Sequence, residues 1–176
     1  MSITPRIGNV LGALACAGLM AYALFAEHAL GYEPCPLCIF QRVAVIALGL
    51  LFLIAAIQDP GQFGRRIHAI LMLLAAGSGI GVAARHLWLQ SLPPERVPSC
   101  GPGLDYMLEA FPFTEMLQTV LSGSGECAEI SWRFLGLAMP GWVLISLVAL
   151  GVFAAWNNWR RASWPENAGS GRPPPA

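Results

Sequence analysis

The chain has 176 residues, of which 56% are hydrophobic and 11% charged, with a formal net charge of zero. A soluble domain carries about 25% charged residues, so this composition excludes an ordinary soluble enzyme. With no excess of positive charge, a nucleic-acid partner is not expected either.

The apolar residues gather in four blocks, 7–26, 39–57, 67–89 and 140–159. Each is about 20 residues long, enough for a helix to cross a hydrocarbon core. The fold class expected is an all-α membrane protein: a four-transmembrane-helix bundle forming one domain over 1–161, with a lipid bilayer as its surroundings. The first block has small residues of the kind found at signal-peptide cleavage sites, but its apolar run exceeds the roughly 7–15 residues of a signal core. The loops 27–38 and 90–138 fall on one side and 58–66 on the other. The tail 162–176 is rich in Pro, Gly and polar residues and reads as disordered.

All ten basic residues are arginines. Arg6, Arg65, Arg66, Arg160, Arg161 and Arg172 flank the spans on the side of the two termini, which the positive-inside rule places in the cytoplasm. Tyr32, Trp88, Trp132 and Trp142 near the outer ends, and Trp156, Trp159 and Trp164 near the inner end, fit interfacial belts. In the third block, Gly77 and Gly81, with Ala75, Ala76 and Gly79 nearby, read as a small-residue face for close helix approach; a cofactor groove is the alternative. Pro140 suits the first turn of the fourth helix. Between the third and fourth blocks, 104–121 alternates apolar and acidic residues and is too polar to span. It reads as a short amphipathic helix, or two, on the outer surface.

Cys16 lies mid-span and reads as an apolar filler. The other four cysteines, Cys35, Cys38, Cys100 and Cys127, all fall in outer segments. Pro36 is placed to open the second helix, which puts Cys38 in its first turn, where unpaired N–H groups and the helix dipole favour a thiolate. Arg42 shares a face with Cys38 one turn on and sits at the membrane boundary, where an unpaired charge is costly. Cys35 lies just outside the helix. The expected pair is asymmetric: Cys35 open to attack, Cys38 a stabilised leaving group beside lipid. Cys100, in the turn "VPSCGPG", reads as exposed, and Cys127 closes the same loop. A structural disulfide, a zinc site of four cysteines and thiol–disulfide exchange between two pairs are all compatible with these residues. The wide separation of Cys100 from Cys127 disfavours zinc, and no metal is expected.

Three stretches, "CPLCIFQR" (35–42), "RHLWLQ" (85–90) and "SGECAEISWRFLGLAMPGW" (124–142), together with four spans, resemble the bacterial DsbB family of disulfide bond formation proteins over nearly the whole chain. The resemblance implies a quinone-dependent protein dithiol oxidoreductase of the bacterial inner membrane, its cysteine loops periplasmic. Its catalytic residues would be Cys35, Cys38, Cys100 and Cys127, paired as Cys35–Cys38 and Cys100–Cys127. A membrane quinone, ubiquinone or menaquinone, would be bound by Arg42, His86 and Cys38. The partner implied is a periplasmic thioredoxin-fold oxidase, DsbA. Its thiolate would attack Cys100, giving a mixed disulfide; Cys127, released, would attack Cys35, and Cys38 would leave as thiolate and pass electrons to the quinone. For His86, a membrane-edge histidine making one hydrogen bond is the plainer reading. The vitamin K epoxide reductase type of quinone-linked enzyme carries its CxxC near its last span, whereas here the CxxC opens the second.

Overall fold

The computed structural model describes residues 4–97, 112, 114, 125–128, 130 and 132–159. Four helices dominate: α1 Pro5–Leu30, α2 Pro36–Gln58, α3 Gln62–Gln90 and α4 Met139–Trp159. Each is long and apolar enough to cross a membrane, and the expected all-α, four-helix architecture stands. Large apolar side chains such as Leu14, Ile57, Leu74 and Val152 point away from the bundle, as lipid-facing residues do. Cys100, the tail 162–176 and nearly all of the segment expected to form an amphipathic helix lie outside the described residues.

Local chemistry sets the helix ends. Thr4 Oγ1 accepts a hydrogen bond from Ile7 N at 3.4 Å. Pro5 occupies the first turn of α1, which ends on Gly31 in the left-handed region at φ 71°. Cys35 is the N-cap of α2 with Pro36 in the first turn. The third helix begins at Gln62 rather than at 67, so the expected loop 58–66 shrinks to a tight connection. Arg65 and Arg66 belong to the helix. Arg65 Nε donates to Pro60 O at 2.9 Å and its Nη2 reaches Asp59 Oδ1 at 3.5 Å, stitching that connection together.

Neighbouring helices run antiparallel, as residue-by-residue contacts show. Gly12 of α1 lies against the Phe52 ring and Gly49 of α2 against Cys16, so Cys16 is the apolar filler its position suggests. Gly79 of α3 lies against Ala44 and Leu147, Gly151 of α4 against Ala76, and Gly141 near Leu87. The buried residues of α3 form one stripe at helical spacing, Ala69, Met72, Ala76, Gly79, Ala83, His86 and Leu89. The close approach uses Ala76 and Gly79. Gly77 and Gly81, expected to form the packing face, have open space where a side chain would stand and lie on the outside of the bundle. Small residues four apart share a face, but spacing alone does not say which face meets a neighbour.

The far end of the bundle is closed by polar side chains. Asn9 Nδ2 donates to Asn158 Oδ1 at 3.2 Å, Asn157 Nδ2 to Asn9 Oδ1 at 3.0 Å, and Asn158 Nδ2 to both Asn9 Oδ1 at 3.1 Å and Ala154 O at 3.0 Å. All three asparagines are buried. Such bonds fix which faces of α1 and α4 meet, where apolar contact with lipid would be nearly as favourable as contact with a helix. At the opposite end, α4 is entered through an antiparallel ribbon, β1 Arg133–Phe134 paired with β2 Leu137–Ala138, in the register Arg133–Ala138 and Phe134–Leu137. Leu135 and Gly136 turn it with φ of 51° and 82°.

Gly79→Leu should cost roughly 1–3 kcal/mol from overpacking, because its Cβ would meet Leu147 Cδ1 at 2.7 Å and Ala44 Cβ at 2.8 Å. Gly81→Leu, facing outward, should stay within about 0.5 kcal/mol. Unfolding of the two variants in detergent, compared with the parent, checks this.

Candidate functional site

Because Pro36 opens α2, Cys35 stays in extended geometry at φ −68° and ψ 162° while Cys38 is already helical. Ile39 N donates to Cys35 O at 3.2 Å and closes the first turn around the pair. The sulfurs come to 3.2 Å of each other as two thiols. A disulfide needs about 2.05 Å, so the bond requires only a small side-chain adjustment.

His86, near the end of α3 and 2% exposed, sits against both sulfurs. Cys35 Sγ lies 3.8 Å from Nε2 and Cys38 Sγ 3.9 Å from Nδ1. The ring is oriented by stronger contacts. Gln41 Nε2, from α2, lies 3.1 Å from Nδ1, and the Cys127 carbonyl oxygen lies 3.0 Å from Nε2. An amide N–H only donates and a carbonyl only accepts, which fixes the neutral tautomer: the proton is on Nε2 and points at Cys127 O, and Nδ1 keeps its lone pair. Gln41 is 3% exposed and Cys127 fully buried. Cys127 packs with Leu37 and Leu89 in an apolar cluster that Cys35 also touches. The 3-10 turn Gly125–Cys127 is therefore docked on the CxxC.

On its other side the dithiol faces a cleft between α1, α2 and α4. Apolar side chains including Leu19, Met20, Val45 and Val143 line it, and Cys35, Cys38, Arg42, His86 and Gln90 supply its polar wall. The cleft holds about 1200 Å³ of space, its open mouth included. Tyr22, Trp132 and Trp142 line it too: Tyr22 meets Trp132 edge-on at 6.4 Å, Trp132 stacks on Phe134 at 6.0 Å, and Trp142 Nε1 donates to Phe134 O at 3.1 Å. Trp132 and Trp142, read from sequence as interfacial belt residues, thus also line the cleft. Gln90 Oε1 is the one buried side-chain oxygen without a hydrogen-bond partner among the described residues.

Arg42 lines this cleft beside Cys38, but its guanidinium does not stand unpaired at the boundary. Nη1 forms an ion pair with Glu27 Oε2 of α1, and Nη2 reaches Ala23 O at 3.4 Å. The charge expected to support Cys38 is therefore one already compensated by Glu27.

Of the residues expected from sequence, Cys35, Cys38, Cys127, His86 and Arg42 converge on one end of the bundle, and Cys100 lies outside the described residues. His86 makes more than one contact, against the plainer reading. Sequence reasoning misses Gln41, Gln90 and Glu27. Gln90 follows His86 by one helical turn, and Glu27 is an acid close to a costly boundary charge; those are the available signals.

The model of the family described as "Disulfide bond formation protein DsbB" matches residues 5–157. Among curated relatives, a Disulfide bond formation protein B of Chromobacterium violaceum is 53% identical over 161 residues, 92% of this chain and 97% of that protein. Those of Marinobacter nauticus, at 49% over 86% of this chain and 92% of the relative, and Methylococcus capsulatus, at 50% over 89% and 95%, bear the same name.

His86→Ala removes the bond that holds Cys127 O. At about 1 kcal/mol, its loss should raise maleimide labelling of reduced Cys127 roughly fivefold while leaving labelling of Cys16 unchanged. Equal rates in variant and parent would mean that the Gly125–Cys127 turn is held by packing alone.

Proposed function

Because the chain belongs to the DsbB family of disulfide bond formation proteins, we propose that it is an inner-membrane thiol oxidase. In this reading it reoxidises a periplasmic thioredoxin-fold dithiol protein of the DsbA kind and passes the electrons to membrane quinone. The cysteine end faces the periplasm and both termini are cytoplasmic, as the arginine distribution favours. The observation that carries the proposal is the docking of Cys127 on the Cys35–Cys38 pair, at the wall of an apolar cleft.

The chain's own residues then act in order. A thiolate of the partner attacks Cys100 of a Cys100–Cys127 disulfide, forming a mixed disulfide and releasing Cys127 as thiolate. The partner's second thiolate breaks the mixed disulfide, so the partner leaves oxidised and Cys100 is freed. Cys127 attacks Cys35, and Cys38 leaves as the thiolate. Cys100 then attacks Cys127, restoring their disulfide and leaving Cys35 and Cys38 reduced by two electrons. Exchange of this kind runs fastest when the departing sulfur is a good leaving group, and the first-turn amides of α2 favour negative charge on Cys38. The His86 N–H to Cys127 O bond keeps Cys127 within reach of Cys35, and Nδ1, 3.9 Å from Cys38 Sγ, would become a proton acceptor for it once the Gln41 amide turns away.

The cleft suits a quinone. It is apolar, lined by aromatic rings, and presents a cation in Arg42 for the carbonyl oxygens, while the unpaired acceptor Gln90 Oε1 would take a hydrogen bond from the hydroxyl of the quinol product. Such a head group, ubiquinone or menaquinone, would be held by Arg42, His86 and Cys38. It would supply the two-electron acceptor: Cys35 and Cys38 would close again to a disulfide, giving up two electrons and two thiol protons to form the quinol. Glu27 fixes the Arg42 guanidinium, and the apolar walls exclude water from the exposed thiolate.

Cys38→Ser should abolish quinone reduction by a reduced partner, and Cys100→Ser should block oxidation of that partner while a small dithiol still reduces Cys35–Cys38. Retained quinone-dependent oxidation of the partner by the Cys38→Ser protein would end the assignment. Arg42→Ala should lower quinone-dependent turnover by about tenfold, the weight of a charged hydrogen bond. Glu27→Gln should act in the same direction more weakly. Both are read optically as quinone consumption by purified protein.

A further inference from the structure

We propose that the reduced site is also a capture site for a soft divalent cation, with Zn²⁺ as its natural class, built from Cys35 Sγ, Cys38 Sγ and His86 Nδ1, with the fourth position open to the cleft. These three side chains bring their ligand atoms within 4.8 Å of one another, the one such group of three among the described residues.

The distances are close to those a tetrahedral ion imposes. With Zn–S of about 2.3 Å and Zn–N of about 2.05 Å, the edges of the tetrahedron are about 3.8 Å between sulfurs and about 3.6 Å between sulfur and nitrogen. The site shows 3.2 Å between the sulfurs and 3.9 Å from Cys38 Sγ to Nδ1, so shifts of about half an ångström suffice on these two edges. Cys35 Sγ now lies 3.8 Å from Nε2, and the imidazole would turn to bring Nδ1 toward it. The surroundings of the ring point the same way. A ligating histidine characteristically donates its other ring N–H to a carbonyl or carboxylate, and His86 Nε2 donates to Cys127 O at 3.0 Å. The nitrogen left with its lone pair, Nδ1, faces Cys38. Gln41 Nε2 now donates to it and would turn away, and the Gln41 side chain is buried against the site.

Charge favours the same composition. Two thiolates, a neutral imidazole and a divalent ion sum to zero, which suits a site at the apolar edge of a bundle. Arg42 adds no unbalanced repulsion, because Glu27 already pairs with it. Binding releases the two thiol protons to solvent and changes no oxidation state. Closing the Cys35–Cys38 disulfide removes both thiolate ligands, so affinity belongs to the reduced form alone. A metal held there occupies both sulfurs that the proposed relay uses, and the consequence for turnover rests on that reading; the binding itself does not.

The test uses purified, fully reduced chain in detergent under anaerobic conditions, titrated with ZnCl₂ against a coloured chelator, and with CoCl₂ for the thiolate-to-cobalt charge-transfer band. One ion per chain is expected, with the cobalt band present. Both should be lost after oxidation of Cys35–Cys38 and in Cys35→Ser or Cys38→Ser, and His86→Ala should weaken binding by about tenfold or more. Cys100→Ser and Cys127→Ser should still bind. The proposal is overturned by no binding to the reduced chain, by equal binding to the oxidised chain, by unchanged affinity in His86→Ala, or by loss of binding in Cys100→Ser, which would mean a site shared with the other pair. A turnover assay with chelator present separates the two readings: no quinone reduction there would count against the relay and leave the metal titration standing.

Discussion

A buried imidazole has to satisfy both of its nitrogens, and His86 does so with groups from separate parts of the chain: the Gln41 amide of α2 on Nδ1 and the Cys127 backbone oxygen on Nε2. Breaking either bond would leave a polar group stranded in a dry environment, at a cost of about 1–3 kcal/mol. That requirement ties the segment before α4 to the start of α2 through the end of α3. It is why two cysteines far apart in sequence from Cys127 share one end of the bundle with it. The same ring touches both sulfurs of the CxxC, so the arrangement that holds the loop also sets the surroundings of that pair.

The cleft depends on a second pairing. A guanidinium at the edge of an apolar bundle is costly unless neutralised, and Glu27 from α1 supplies the partner for Arg42 of α2. The pair holds α1 and α2 together at the cysteine end, while Asn9, Asn157 and Asn158 hold α1 and α4 together at the other. Between these polar ends the bundle is packed by apolar and small residues, with Leu48, Phe52, Met72 and Leu147 fully buried. Polar contacts thus fix orientation where lipid gives apolar faces little reason to choose.

The four helices were legible because hydrophobic length is a property of the chain read in one dimension. The placing of Cys35 before the helix and Cys38 within its first turn followed from Pro36 for the same local reason. What could not be read were pairings between distant segments. Arg42 announced that it needed a partner, but nothing in one dimension assigns that role to Glu27. Gly77 and Gly81 have the spacing of a packing face, yet Ala76 and Gly79 occupy it, because rotation of α3 is set by its neighbours. The helix starting at Gln62 and the ribbon at 133–138 are short-range features whose propensities are too weak to stand out beside apolar blocks. His86 stood out only through family resemblance; its hydrogen bonds to Gln41 and Cys127 depend on the packed bundle.

Direct contact between the second cysteine segment and the CxxC is the point on which the account turns, and cross-linking measures it. In a Cys38→Ser, Cys100→Ser double variant the remaining outer cysteines are Cys35 and Cys127. Mild oxidation should close a disulfide between them within one chain, seen as a linked peptide pair by mass spectrometry in dilute detergent solution. Only intermolecular linkage, or none while both thiols stay reactive, would contradict it.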